Sequence, residues 1–139
     1  MIAMLDIGAI EGVLGMRDAI DLLEKTLAHE AGGGTSVSPK FTTDFAGGSM
    51  RVLFAADSDT GYCAMKAYHS IKGVGTRYVV LLYSLNSGEL LALVDGRLIT
   101  DLRTGAASGV AARKVPLDGP DRCGRTAGNK SATTSRSGT

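Results

Sequence analysis

The feature that most constrains the fold is a series of short apolar runs, between residues 50 and 94, that are separated by clusters of turn-forming residues. Asp, Ser and Gly dominate the cluster at 57–61, and Asn, Ser and Gly dominate the cluster at 85–88. Apolar runs bounded in this way are typical of β-hairpins. The pattern predicts an antiparallel meander with strands at 50–56, 62–70, 78–84 and 89–94. Asp95-Gly96 is a strong two-residue turn signal, which predicts a further short strand over 97–99.

Helices are predicted on both sides of the meander. Residues 16–31 carry apolar side chains at helical spacing and are followed by three glycines that would end the helix. The apolar set is Ala19, Ile20, Leu23, Leu27 and Ala31. Small residues dominate 105–113, which predicts a second helix that packs closely on its neighbour. Its N-cap is expected to be Thr100, Asp101 or Thr104.

Two further segments complete the predicted sheet at its edges. Residues 1–7 are mostly apolar, whereas residues 36–45 are mostly polar and contain Pro39. Proline is tolerated in an edge strand, where no neighbour needs its missing N–H group. The expected fold class is α+β, with an N-terminal helix packed on an antiparallel meander and the start of a linking helix at the end.

The composition changes near residue 115. Residues 116–139 are rich in Ser, Thr and Gly, contain few apolar residues and show no helix or strand period. A segment of this kind cannot bury enough surface to offset the entropy that ordering costs. We therefore expect a folded unit at 1–115 and a disordered tail at 116–139.

Composition also excludes several classes of protein. Apolar residues make up 44% of the chain, charged residues 21%, and the net charge is +1, which argues against a disordered chain and a general nucleic-acid binder. No apolar run is long enough to span a membrane, and the first residues lack the basic region of a secretory signal. We expect a cytoplasmic protein. Two cysteines and two histidines at scattered positions predict no metal site.

Arg103 is the most informative residue. At the start of the predicted helix a cation opposes the helix dipole, unless an anion lies between the cation and the free helix N–H groups. The guanidinium and the helix would then bind one carboxylate or phosphate together. The alternative is a surface arginine paired with Asp101 or another acid.

Two lysines and two histidines are weaker candidates. Lys66 lies in the middle of a predicted strand and shares a face with Tyr68, so it is either solvated or an inward cation in a polar cavity. Lys40 follows Pro39 on the predicted edge strand, where lysines discourage aggregation. His29 and His69 have no catalytic constellation around them, and no such role is assigned to either.

The stretch 89–112 resembles the ornithine cyclodeaminase/mu-crystallin family. Members of that family carry a hairpin that ends in "alldg", followed by "iTalRTaAasavAa". The corresponding segments here are LALVDG at 91–96, ITDLRT at 99–104 and the alanines at 106 and 107. The helix that begins at Met16 and the strand segment AMK at 64–66 agree with the family pattern in collinear order, so the resemblance covers about 1–115.

The resemblance implies an NAD(P)(H)-dependent oxidoreductase or deaminase of amino or imino acids that forms a homodimer. It assigns Lys66 a catalytic role and assigns Lys40, Lys66 and Arg103 to substrate binding. Lys40 is the least secure, because the family commonly has arginine there and lysine lacks the bidentate fork. Thr104 is expected near the cofactor phosphates or the substrate, at the helix start.

The resemblance ends near Val115. No strand and Gly-x-Gly-x-x-Ala turn follow, so we expect the Rossmann domain to be absent and the chain not to bind the dinucleotide or transfer hydride alone. The first interpretation is a truncated or frame-shifted enzyme fragment, with an out-of-frame tail. The alternatives are a non-catalytic module that dimerises or binds a small carboxylate, and a product without function. Whether the chain is itself an enzyme stays open.

Overall fold

The computed structural model describes residues 1–115, which form an α+β fold of seven strands and three helices. The predicted fold class is confirmed, whereas the predicted tail lies outside the described residues. In chain order the elements are β1 (Ala3–Leu5), α1 (Ile7–Ile10), α2 (Met16–Ala31), β2 (Thr35–Val37), β3 (Phe41–Phe45), β4 (Gly48–Asp57), β5 (Tyr62–Ile71), β6 (Gly75–Ser84), β7 (Leu90–Asp95) and α3 (Gly96–Lys114).

The strands form one mixed sheet in the order β1-β7-β6-β5-β4-β2, and β3 also pairs with β4. Strands β4 to β7 are the predicted antiparallel meander. The predicted edge strand at 36–45 is instead two strands, because the chain leaves the sheet around Pro39 and returns to β4 at Phe41. Strand β1 runs parallel to β7, which the meander pattern does not show.

The predicted strand at 97–99 is wrong, because helix α3 begins directly after β7. Asp95 is the N-cap, and its Oδ1 accepts a hydrogen bond of 2.9 Å from the backbone N–H of Arg97. A Cβ atom on Gly96 would lie 2.9 Å from the Cβ of Tyr78, so glycine lets the helix begin against β6. Thr100, Asp101 and Thr104 therefore lie inside the helix, and none of them caps it.

Close packing of the small-residue helix is confirmed. Gly105 and Gly109 of α3 face α2, where an added Cβ would lie 2.7 Å from Met16 Cε and 2.6 Å from Ile20 Cδ1. Arg113 at the end of α3 also forms ion pairs across the two helices, at 2.6 Å to Asp21 and 3.2 Å to Glu24. Helix α2 thus packs mainly on α3, and its main contact with the sheet is at β2.

The helices lie on one side of the sheet, which we call the covered face. The core on this face contains residues from α1, the sheet and α3. They are Ile10 of α1, Val80, Leu82, Ala92 and Val94 of the sheet, and Leu98 and Ile99 of α3. Side chains of alternate strand residues point to the other side, which we call the open face. There the register aligns one apolar residue from each of five strands: Met4, Leu93, Leu81, Met65 and Phe54.

None of the helices within residues 1–115 has both the length and the hydropathy needed to cross a lipid bilayer.

Candidate anion-binding site

Lys66 lies on the covered face, so the structure selects the inward alternative for this residue. Its strand neighbours in register are Leu53 and Val80, and Val80 belongs to the covered core. The ammonium donates a hydrogen bond of 2.9 Å to Oγ1 of Thr100, and that hydroxyl donates in turn to the carbonyl of Gly96. The first turns of α3 therefore fix the tip of a lysine that begins on β5.

Two tyrosine rings form the wall beside the ammonium. The Nζ atom of Lys66 is 4.9 Å from the ring centroid of Tyr78 and 5.6 Å from that of Tyr68. The rings are 5.3 Å apart, because the two residues are opposite each other on β5 and β6. At these distances the negative ring faces attract a cation, which partly compensates for the loss of water around Lys66.

Arg103 is a second cation of the same site. It is exposed on α3 and follows Thr100 by three residues, so both residues lie on one side of the helix. Burial lowers the pKa of Lys66, and the positive charge of Arg103 lowers that pKa further. Among residues 1–115, no carboxylate lies within 4.0 Å of either cation.

The arrangement favours an anion between the two cations. Lys66 is half-buried and Arg103 is exposed, and their like charges repel each other. A negative group between them would relieve the repulsion and regain hydrogen bonds. Lys66 has three N–H donors, of which the described residues accept one. A carboxylate fits this donor set, since it can accept hydrogen bonds on both oxygens. The donors of Lys66 and Arg103 therefore suit a small carboxylate.

Helix α3 begins before the predicted start, and this changes why Arg103 would attract an anion. Arg103 lies eight residues into α3, which begins at Gly96, and so the free N–H groups of the helix start are not beside it. Its anion preference rests instead on Lys66. Thr104 is exposed and not at the helix start, and its hydroxyl donates to the carbonyl of Thr100 at 2.7 Å.

Lys40 lies at the margin of the site. It is exposed between β2 and β3, one residue before the pair Phe41–Val52, and the next β4 residue is Leu53, the strand partner of Lys66. Within residues 1–115, Lys40 forms no ion pair. The structure thus brings Lys66 and Arg103 together and leaves Lys40 one strand away.

Sequence reasoning did not find three further residues of the site. Thr100 was expected only as a cap, and Tyr78 and Arg51 were not singled out. Tyr78 and Arg51 are both strand partners of Tyr68, and the guanidinium carbon of Arg51 is 5.8 Å from the Tyr68 ring centroid. The available signal was the face shared by Lys66 and Tyr68, but the partners depend on strand register, which the sequence pattern does not fix.

The described residues do not fit a dinucleotide cofactor. Phosphates of such cofactors bind at a glycine turn between a strand and a helix, and β7–α3 is a strand–glycine–helix junction. The backbone of Gly96 packs closely against Tyr78. The carboxylate of Asp95 already accepts a hydrogen bond from the backbone N–H of Arg97. A phosphate there would meet a negative side chain, so this junction does not suit the phosphates of a dinucleotide.

Comparisons with known proteins show which family this chain resembles. The sequence model of the ornithine cyclodeaminase/mu-crystallin family matches residues 2–118. An alanine dehydrogenase of Archaeoglobus fulgidus is 34% identical over 110 residues, which is 75% of this chain. An archaeal alanine dehydrogenase dimer with bound NAD superposes with a TM-score of 0.75 at 30% identity. A Δ1-pyrroline-2-carboxylate reductase of Thermococcus litoralis, in complex with NADH and L-proline, superposes with a TM-score of 0.76 at 26% identity.

The chain spans only part of these proteins. It covers 34% of the curated alanine dehydrogenase. Each of the two structural matches covers 81% of this chain, and the chain covers 36% of the archaeal dehydrogenase and 37% of the reductase.

Proposed function

The chain belongs to the ornithine cyclodeaminase/mu-crystallin family, and we propose that residues 1–115 form the substrate-binding and dimerisation part of an NAD(P)-dependent oxidoreductase or deaminase of amino or imino acids. The described relatives support this class, since they include an alanine dehydrogenase and a reductase that holds L-proline. The single observation that carries the proposal is that Lys66 and Arg103 are neighbouring cations, and that neither forms an ion pair with a carboxylate of residues 1–115.

In this proposal Arg103 holds the α-carboxylate of the substrate and Lys66 contacts the reacting group. A guanidinium suits a carboxylate because its N–H groups match both oxygens. The lowered pKa of Lys66, caused by burial and then by Arg103, makes its proton easier to transfer to or from a nitrogen or oxygen of the substrate. Thr100 positions the ammonium through its hydroxyl.

Two residues have secondary roles in the same proposal. Lys40 supplies a further positive charge at the rim of the site, without the bidentate fork of an arginine. Thr104 is placed next to the cofactor or substrate, beside Arg103 on the exposed side of α3.

We further propose that the open face of the sheet is the homodimer interface. Its apolar row is too large to remain in water without cost, and Phe54 is 45% exposed at one end of it. A two-fold interface would place the row of one subunit against the same row of its partner. The archaeal alanine dehydrogenase, which superposes over this region, is a dimer.

The nicotinamide cofactor is expected to need residues beyond those described, because the described ones do not fit it. We therefore propose that the 139-residue chain, which we place in the cytoplasm, does not transfer hydride alone. The assay is NAD(P)H oxidation by the purified chain with cyclic imino acids. Turnover that depends on Lys66 would refute this part of the proposal.

Ligand binding tests the site directly. L-proline and L-prolinamide differ only in the carboxylate, so the chain should bind L-proline and bind the amide at least about tenfold more weakly, as expected for a charge-assisted hydrogen bond. Lys66→Met should weaken L-proline binding by a similar factor, measured by calorimetry or NMR titration.

The matched control is Lys72→Met, because Lys72 is an exposed lysine in the turn after β5 and faces no site residue. It should leave L-proline binding unchanged. Equal binding of proline and its amide, or equal loss in both lysine variants, would mean that the two cations do not form a carboxylate site.

A further inference from the structure

Arg51 is a third cation at the same site. It lies on β4 opposite Tyr68, and its side chain points to the covered face, as do those of Leu53 and Lys66. In register it is a diagonal neighbour of Lys66, a relation that places Cβ atoms about 7–8 Å apart in antiparallel sheets. Its guanidinium carbon lies 5.8 Å from the Tyr68 ring centroid, and the Lys66 ammonium lies 5.6 Å from the same centroid. Both cations therefore lie within 6 Å of the centre of one aromatic ring.

The charge of Arg51 has no acidic partner in the part of the chain that the structure describes. The ion pairs found there involve His29, Arg113 and Lys114, and none involves Arg51. Asp44 lies one register row further along the same face, opposite Ser49, and does not form an ion pair with Arg51. A half-buried guanidinium without an acidic partner, close to Lys66, which itself lies near Arg103, adds positive charge that one carboxylate would not balance.

We infer that the site takes a short dicarboxylate, such as an amino, imino or oxo acid with a second acidic group, and that Arg51 binds this second group. The inference rests on the proposed function, in which Arg103 holds the first carboxylate and Lys66 contacts the reacting group. The diagonal spacing of Arg51 and Lys66 suits a four-carbon acid, because its second carboxylate lies two carbons beyond the reacting group. Arg51 is then a specificity-determining residue, since a monocarboxylate substrate leaves it unused.

Succinate and succinamate provide the test, because they have nearly the same shape and differ by one carboxylate. The full 139-residue chain should bind succinate about tenfold more tightly than succinamate. Arg51→Gln should reduce this preference to less than twofold while changing succinamate binding little, and Arg51→Lys should keep part of it. The matched control is Arg77→Gln, because Arg77 lies on the neighbouring strand β6 but pairs with His69 on the open face.

A second measurement keeps the test independent of the variants. In the wild-type protein, the side-chain Nε–H NMR signal of Arg51 should shift on titration with succinate and stay in place with succinamate. Equal affinity for both acids, or a preference that survives Arg51→Gln, would overturn the inference. If L-proline still binds in that case, the proposed function stands without it; if neither L-proline nor succinate binds, both are overturned.

Discussion

The two faces of the sheet differ although they share every strand. On the open face, the row Met4, Leu93, Leu81, Met65 and Phe54 is entirely apolar. The adjacent row on the covered face consists of Leu5, Val94, Val80, Lys66 and Leu53. A lysine thus lies on the face that helices bury, and the uninterrupted apolar row lies on the face that no described helix covers.

This difference indicates what each face does. Removing apolar surface from water is favourable, and a contiguous exposed apolar row is typical of an interface. The open face therefore favours contact with a second subunit. Burying the cation Lys66 costs free energy unless a partner compensates for it, so the covered face favours the binding of an anion. The stability of the fold alone explains neither feature, and each is explained by a binding partner of opposite chemistry.

The largest expected effect concerns the open face. Leu81→Glu introduces a charge at the centre of the apolar row, and a two-fold interface would bury that charge twice. We expect self-association to weaken by at least about 100-fold, measured by sedimentation velocity. Leu22→Glu is the control, because Leu22 is 53% exposed on α2. A Leu81→Glu protein that remains dimeric would show that the open face is not the interface.

The covered face depends on the close approach of α2 and α3. In Gly109→Ala the new methyl group would meet Ile20, a stiff β-branched side chain, at 2.6 Å, and overpacking of this kind costs about 1–3 kcal/mol. Gly105→Ala meets only the flexible end of Met16 and should be neutral or gain up to about 1 kcal/mol from helix propensity. Urea denaturation separates the two; equal stabilities would mean that the helices can move apart freely.

The positive charge of the covered face should appear as a pH dependence. The pKa of Lys66 is lowered by burial and by Arg103, so the unfolded chain holds this proton more strongly than the folded one. The free energy of unfolding should therefore rise with pH below the ordinary lysine pKa of 10.5, relative to Lys66→Met. Arg103→Met should reduce the slope. Parallel curves for wild type and Lys66→Met as the pH approaches 10.5 would contradict this interpretation of the site.

The smallest effect is expected for the ion pairs between the helix ends. Arg113→Gln removes the contacts to Asp21 and Glu24. Because Arg113 and Asp21 are exposed and Glu24 is still partly exposed to solvent, these ion pairs contribute little. The urea midpoint should stay within experimental error. A loss as large as that of Gly109→Ala would show that these charges, and not the glycines, hold the covered face together.

Much of the fold follows from local pattern. The meander and α2 were predicted because turn clusters and helical spacing act within a few residues. The start of α3 was predicted wrongly, because Asp95-Gly96 satisfies two local rules. The dipeptide suits a tight hairpin turn, and aspartate is also a good N-cap. The contact between Gly96 and Tyr78 belongs to the helical alternative, and it joins residues far apart in sequence.

The site was predictable only in part. Alternation shows that Lys66 and Tyr68 share a face, but not which face the helices cover. The partners Thr100 and Arg51 lie 34 and about 15 residues away along the chain, and only strand register and the position of α3 bring them to Lys66. Arg103 was singled out as a cation at a predicted helix start, which is wrong because α3 begins at Gly96. Its assignment to the substrate is what the family resemblance implies.

The junction at Asp95 has a consequence for how such a site can vary. The last residue of β7 is also the N-cap of α3. Because no linker lies between them, the strand fixes which side chains of the helix point towards Lys66. One residue inserted there would turn Thr100 and Arg103 by about 100° around the helix axis, away from Lys66. The chemistry of the pocket can therefore change by substitution along α3, whereas a change of length at this point would remove it altogether.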